Sequence, residues 1–350
     1  MKILHINTEK TWRGGEQQIL YLVNGLKKRG HDSIIVCQPD SPLYEKLRKD
    51  DFTVIPLRML GGIDFLAAKT IAKQLSKGYD ILHLHTANAH TLGALATIHF
   101  RNQRIVVSRR VSFPIKGFFR RIKYWRVNKV IAVSEDIKKS LIASGISHHL
   151  IITIHSAIDL NRFSRISNEP SEPIVGIFAH LAEHKGHRYF LEAAKEVLST
   201  MHDVKFLVVG EGEKRMELEN LSKWLGINNK VSFLGFQEDI PGLMSGCTVT
   251  VLSSINGEGS PGVLKESMAV GVPVVTTDVG GSSEIVEDGV NGFVVPPEDP
   301  HALATAMIKI LTDNNLRKKM KLEGLKKVRE FSVDIMVEKT ESLYKSLLPK

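Results

Sequence analysis

Short runs rich in Val and Ile alternate along the whole chain with longer stretches in which apolar side chains recur every three or four positions. Runs of the first kind predict strands, and stretches of the second kind predict amphipathic helices. In the front half the strand pattern falls on residues 2–7, 33–37, 53–55, 81–85, 105–108, 129–133 and 151–154, with helices over 17–29, 41–49, 65–76, 88–100 and 135–143. Strand and helix taking turns implies parallel strands joined by crossover helices. Residues 163–173 interrupt the pattern with Ser, Asn, Glu and two prolines, and read as a linker. A second series follows, with strands over 174–179, 205–209, 231–234, 249–252, 274–276 and 293–295, and helices over 189–201 and 214–225. A last helix spans 333–348, after the second series is complete. The expected fold class is therefore α/β, two Rossmann-like doubly wound domains over residues 1–165 and 166–332 facing across a cleft, with 333–350 packing back on the first.

Composition adds an asymmetry. Residues 1–165 hold 27 Lys and Arg against 12 Asp and Glu, whereas 166–350 hold 20 against 26. No acidic residue lies between Asp80 and Glu135, and the arginines and lysines there are interleaved with Phe113, Phe118, Phe119, Tyr124 and Trp125. Basic residues alternating with rings suit the acceptor side, on a surface that meets anionic lipid, with Arg109, Arg110, Phe118, Phe119, Arg120 and Arg121 as the acceptor or membrane contacts. The same stretch, with a pI near 9.4, leaves a nucleic-acid-binding module open as an alternative. Cys37 and Cys247 are far apart and lack metal-ligand spacing, which speaks against a disulfide scaffold or a zinc site. With no signal-like apolar run after Met1 and no stretch of membrane-spanning length, the expected location is cytoplasmic, with peripheral attachment to the inner membrane face.

The candidate chemistry centres on Glu258 and Glu266, separated by seven residues. Gly259, Pro261 and Gly262 hold the first carboxylate in a turn, and the run from Val263 onwards places the second on a helix. The backbone N–H groups of Gly262, Val263 and Leu264 then lie at a helix N-terminus, a natural seat for phosphate. Two hydroxyl-binding carboxylates flanking an anion seat fit a ligand with sugars at both ends and phosphate between them, as in a nucleotide sugar.

In that context a series of motifs resembles the family 4 retaining glycosyltransferases of the two-domain GT-B type. They are Gly14-Gly15-x-Gln17, Ile131-Ala132-Val133-Ser134, Lys185-Gly186, Gly210-Glu211-Gly212, Phe233-Leu234-Gly235, Glu258 to Glu266, Gly271-x-Pro273-Val274-Val275, Gly280-Gly281-x-x-Glu284 and Asp288-Gly289-x-x-Gly292. The resemblance implies an acceptor-binding first domain and a donor-binding second domain. Glu266 would hold the ribose hydroxyls, Glu258 the donor sugar, and Lys185 the diphosphate as its bond to the sugar breaks. Gly14 and Gly15 would let backbone approach donor phosphate or sugar, and His85, closing its strand, would touch sugar or acceptor, with His83 deeper on the same side. Loops near Gly212, Phe236 and Ile240 would hold the base, commonly uracil in this family. His180 stands where the family usually has arginine, so it either substitutes in part or is structural.

The implied reaction transfers a sugar from a UDP-linked donor to a glycan or lipid-linked acceptor, with retention, in cell-envelope polysaccharide or lipopolysaccharide synthesis. No Asp-x-Asp motif stands at a strand end of the first domain, so neither a cofactor nor a catalytic metal is expected, and nucleic acid is not an expected partner. A nucleotide-sugar epimerase on the same fold is the nearer alternative. An NAD-dependent dehydrogenase is the most remote alternative, since no Gly-x-Gly-x-x-Gly joins a first strand to its helix in either half.

Overall fold

The computed structural model describes residues 1–111, 123–164 and 172–349. Runs of three to six residues, most of them buried on both faces, form two all-parallel sheets, as expected when helices cover each side. The first sheet contains β1 (Lys2–Ile6), β2 (Asp32–Cys37), β3 (Thr53–Pro56), β4 (Ile81–Leu84), β5 (Arg104–Arg109), β6 (Lys129–Ala132) and β7 (Ile151–Thr153), in the order β3-β2-β1-β4-β5-β6-β7. The second contains β8 (Ile174–Phe178), β9 (Lys205–Val209), β10 (Val231–Gly235), β11 (Val249–Leu252), β12 (Val274–Thr277) and β13 (Gly292–Val295), in the order β10-β9-β8-β11-β12-β13. The strand order reverses once in each sheet, between β1 and β4 in the first and between β8 and β11 in the second. Loops leaving the carboxyl ends of these strands part to opposite sides, which opens a ligand-sized crevice at each switch.

The chain divides into two units, residues 1–157 with 333–350, and 158–332. The boundary therefore lies at Ala157/Ile158 instead of 165/166. Ile158 and Phe163 are buried in the second unit's core, so the expected linker begins only after them, and residues 165–171 lie outside the described residues. The helix Val333–Leu347 belongs to the first unit. It packs against the helix Gly14–Lys28 so closely that a Cβ at residue 25 would lie 2.4 Å from Val337 Cγ2, which only glycine avoids. Glu341 anchors it from the side, accepting from Arg29 at 2.9 Å, His31 at 2.8 Å and Lys345 at 2.6 Å. These hydrogen bonds pull the Glu341 carboxyl down to about 2, with Lys345 the strongest influence.

Two local differences from the sequence reading matter for function. The helix expected from residue 17 begins at Gly14, because Arg13 is extended and Glu16 accepts its backbone N–H at 3.0 Å, closing a capping box. Four further helices, Ile240–Ser245, Ser282–Ile285, Pro300–Thr312 and Asn314–Lys327, complete the second unit. Most helices start on a side-chain cap, such as Ser41, Asp64, Thr86, Ser134 and Asp299. The helix Gly262–Ala269 does not, because Pro261 occupies that position.

Candidate functional site

In the second unit the loops after β8 and β11 meet through main chain. Ile255 donates to the His184 carbonyl at 2.9 Å, and the Ser253 hydroxyl reaches the carbonyls of Lys185 and Gly186 at 3.2 and 3.0 Å. Gly186 has φ +64°, and a Cβ there would sit 2.0 Å from the Ser253 carbonyl oxygen, so the approach requires glycine. The result is an ion pair of Lys185 Nζ and Glu258 Oε1 at 2.6 Å, with the Ser254 hydroxyl donating to the same carboxylate oxygen at 2.5 Å. Glu258 is buried, and these two donors are what make its charge tolerable there. From the far side Gly280, at φ +57°, brings the next loop onto the Glu258 backbone, where a Cβ would collide with the carbonyl at 1.8 Å.

Eight residues on, Glu266 lies in the helix Gly262–Ala269, close enough to its first turn that a Cβ at Gly262 would be 3.5 Å from Glu266 Oε1. Burial pushes its carboxyl up, against the opposing pull of Arg162 and Lys265. The N–H groups of Gly262, Val263 and Leu264 carry no side-chain cap and lie between the two glutamates in sequence. Lysine has three donors, so Lys185 can hold Glu258 with one and offer the others to an anion.

Sequence reasoning missed Lys265. It is fully buried, donates to the Ser260 hydroxyl at 2.7 Å and lies 5.0 Å from the centre of the Phe331 ring. Burial lowers it to about 7, although Glu266 and Glu284 oppose the shift. It holds the Glu258–Pro261 turn against the core. A neighbour of Glu266 on a short helix gives no periodic signal of such burial. His187, just after Gly186, was also missed; it is buried with neither ring nitrogen partnered and is lowered to about 3 mainly by burial.

The other sequence-predicted residues of this unit surround that core. The segment Gly210-Glu211-Gly212 runs beside the loop after β8, with Leu181 donating to the Glu211 carbonyl at 2.9 Å. The Glu211 side chain is exposed and paired with Arg215 at 2.7 Å. His180 is exposed, 3.4 Å from Glu213. Phe236 is exposed, and Ile240, first residue of its helix, is half-buried against the core.

In the first unit the switch between β1 and β4 collects three histidines. His5 pairs in register with His83, and His85 follows the end of β4. His5 Nδ1 and His85 Nε2 are 3.0 Å apart, and the His83 and His85 ring centres are 4.0 Å apart. His83 is held by Ser108 Oγ at 2.8 Å and by the Tyr344 hydroxyl at 2.5 Å. Burial pushes His5 down to about 3 and His83 and His85 well below the usual range, so all three rings are neutral at pH 7. His5 Nε2 and His85 Nδ1 are buried without partners. Among the described residues this trio is the group of histidines and acids whose ligand atoms, within 4.8 Å of one another, are near enough to hold a metal ion, but His83 already commits both nitrogens. His5 escaped the sequence reading because its relevance depends on β1 lying next to β4, which strand patterns alone do not order.

Arg109 and Arg110 end up on opposite sides of their strand end. Arg109 lies near Lys123, His90 and Tyr124, depressing the first two, whereas the Arg110 stem crosses Gly15 and its charge reaches Glu16, His83 and His85. Arg110 is half-buried with a buried Nε, which speaks against the membrane half of its assignment and leaves the acceptor half as an expectation. Phe118, Phe119, Arg120 and Arg121 lie outside the described residues.

Comparison with known proteins bears directly on this pair of sheets. The profile described as Glycosyltransferase Family 4 matches residues 12–162, and the one described as Glycosyl transferases group 1 matches 160–327. An uncharacterized glycosyltransferase of Methanocaldococcus jannaschii is 27% identical over 93% of this chain and 92% of its own length. An Escherichia coli enzyme described as UDP-Gal:alpha-D-GlcNAc-diphosphoundecaprenol alpha-1,3-galactosyltransferase is 25% identical over 98% and 96%. The crystal structure of a glycosyltransferase from Rickettsia africae superposes with a TM-score of 0.89, covering 100% of this chain and 99% of that one at 25% identity. The two profile matches together span residues 12–327, the architecture is that of the GT-B glycosyltransferases, and the chain belongs to the family 4 glycosyltransferases.

Proposed function

We propose that this chain transfers a sugar from a UDP-linked donor to a glycan or lipid-linked acceptor in cell-envelope polysaccharide or lipopolysaccharide synthesis, with retention and without a catalytic metal. The observation that carries this reading is the Lys185–Glu258 ion pair beside the uncapped start of the helix that bears Glu266. Glu266 accepts the ribose hydroxyls, and its raised carboxyl reflects a buried seat that hydroxyl donors relieve. The donors left on Lys185 and the amides of Val263 and Leu264 meet the diphosphate and stabilise its charge as the glycosidic bond breaks, the service a metal ion supplies elsewhere. Glu258, already fixed by Ser254, orients the sugar hydroxyls. The uridine nucleotide and lipid-diphosphate acceptor in the name of the Escherichia coli relative support the substrate class.

A peripheral membrane habit draws support from a different place than the sequence suggested. Leu60, Ile63, Phe65 and Leu66 are 70 to 82% exposed, and Trp125 is 82% exposed, in the unit that carries the basic excess. Among the described residues no helix is long and apolar enough to cross a membrane.

A thermal-shift and calorimetry panel of UDP, UDP-sugars, GDP-mannose and ADP-glucose tests the donor assignment. UDP compounds are expected to stabilise the chain, and Glu266→Ala to weaken them about 10- to 100-fold, the cost of two charge-assisted hydrogen bonds. Equal binding by the Glu266→Ala variant would remove the assignment. Retention is read from the anomeric configuration of the product, and an isomerised free nucleotide sugar instead of a new glycosidic bond would favour an epimerase.

A further inference from the structure

We propose that Arg110, together with the first turn of the helix Gly14–Lys28, forms a subsite in the first unit that binds an anionic group, a carboxylate or a phosphate, carried by a sugar substrate. The inference rests on the glycosyltransferase reading for the word sugar, and on the first unit's own geometry for the word anionic.

A guanidinium brought out of water needs counter-charge or acceptors for its five donors. Arg110 has neither in adequate measure. Its Nε is buried without a partner, and among the described residues no carboxylate pairs with it. The nearest opposite charge it feels is Glu16, whose oxygens are already taken by the Arg13 backbone N–H at 3.0 Å and by Asn7 Nδ2 at 3.2 Å. Burial also raises the Glu16 carboxyl, weakening it as a counter-ion. The surrounding rings do not compensate, since His83 and His85 are neutral and are themselves depressed by Arg110.

The position of the side chain is built, not incidental. A Cβ at Gly15 would lie 3.5 Å from Arg110 Cδ and 3.7 Å from Nε, in contact with the stem, so the guanidinium rests on the first turn of a 15-residue helix. That turn adds backbone N–H groups and the positive end of a helix dipole. A Cβ at Gly14 would meet nothing within 4 Å, so there is open space beside that turn. His85, with Nδ1 buried and unpartnered, supplies a neutral polar contact beside the cation. A planar fork beside the first amides of a helix, with Glu16 already engaged by Arg13 and Asn7, suits a carboxylate or phosphate bound in two-point fashion.

The test uses the full chain, with and without saturating UDP, and compares glucuronate, galacturonate and glucose 6-phosphate with neutral glucose, and with inorganic phosphate as the free-anion control. One anionic sugar is expected to bind at least about tenfold more tightly than glucose and than phosphate. Arg110→Gln should reduce that sugar to the glucose level, and Arg110→Lys should retain part of the advantage, because lysine keeps the charge but loses the fork. UDP stabilisation serves as the check that both variants are folded, and it should be unchanged. The proposal is overturned if no anionic sugar outperforms glucose, if the advantage survives Arg110→Gln, if free phosphate accounts for it, or if Arg110→Gln weakens UDP itself, which would assign the guanidinium to the donor's diphosphate. Failure of the unmodified chain to bind any nucleotide counts against the proposed function, while the UDP-free arm still decides the subsite.

Discussion

The two switch points share a topology and differ in how their polar groups are satisfied. After β8 and β11 the buried Glu258 is matched within the protein by Lys185 and Ser254, glycines at 186 and 280 lock the loops that hold them, and the neutral His187 ring is the group left unpartnered beside them. After β1, β4 and β5, buried polar atoms are left over, including Asn7 Oδ1, His85 Nδ1 and Arg110 Nε. A matched site is rigid before its ligand arrives and loses little on binding, whereas leftover donors and acceptors are satisfied only by what binds. Under the proposed function, the Lys185–Glu258 pair of the second unit is thus in place before the donor arrives. The first unit leaves buried donors and acceptors to be met by whatever it binds.

Breaking the matched side should have the largest effect. Lys185→Ala removes the cation and leaves Glu258 with one partner, so kcat/KM should fall about 10²- to 10³-fold, the usual loss for one group stabilising a developing anion. Steady-state kinetics with a UDP-sugar would show it, and a loss confined to KM would mean that Lys185 binds the ground state only. The comparison is sharpened from the other side by Tyr344→Phe, which strips the hydroxyl from His83 Nδ1 and leaves a buried nitrogen unpaired at a cost of about 1–3 kcal/mol. Hydrogen exchange should quicken in peptides from β1, β4 and the helix Val333–Leu347, with β8 to β13 unchanged. Acceleration spread over both units would show that they do not respond separately. The smallest effect expected is from Leu60→Ser with Leu66→Ser, two exposed positions where stability should not change. Their combined loss should reduce sedimentation with anionic vesicles on the order of tenfold, and unaltered binding would end the membrane proposal.

Much of the donor side could be read before any coordinates. Strands at 249–252 and 274–276 declare themselves as apolar runs, and Glu258 stands out because Gly and Pro around it forbid a helix. Lys185 stands out for a similar reason, being followed by Gly186 at the end of a strand pattern. What stayed hidden depends on contacts remote in sequence. Nothing near His5 marks it as a neighbour of His85, 80 residues away. The burial of Lys265 follows from Phe331 and Ser260, and a lysine in a short amphipathic helix ordinarily reads as solvated. The exposed leucines at 60 and 66 and the inward turn of Arg110 went the other way: residue type suggested one environment and packing imposed another. Gly14 and Gly15 look like a turn because glycine is a poor helix former, and only the capping box between Arg13 and Glu16 explains why the helix starts there.

The return of residues 333–347 to the first unit also sets an order of assembly on the ribosome. The second unit has all its strands once Ser332 has emerged, and the bridge between Ile158 and Ser332 joins its two ends. The first unit, although translated earlier, still lacks the side chains of Val337 and Tyr344 that cover Ile3, Leu22 and Leu26. The half of the protein made first is therefore the half completed last, and a nascent chain stalled at residue 332 would present a finished second unit and a first unit with its apolar flank bare.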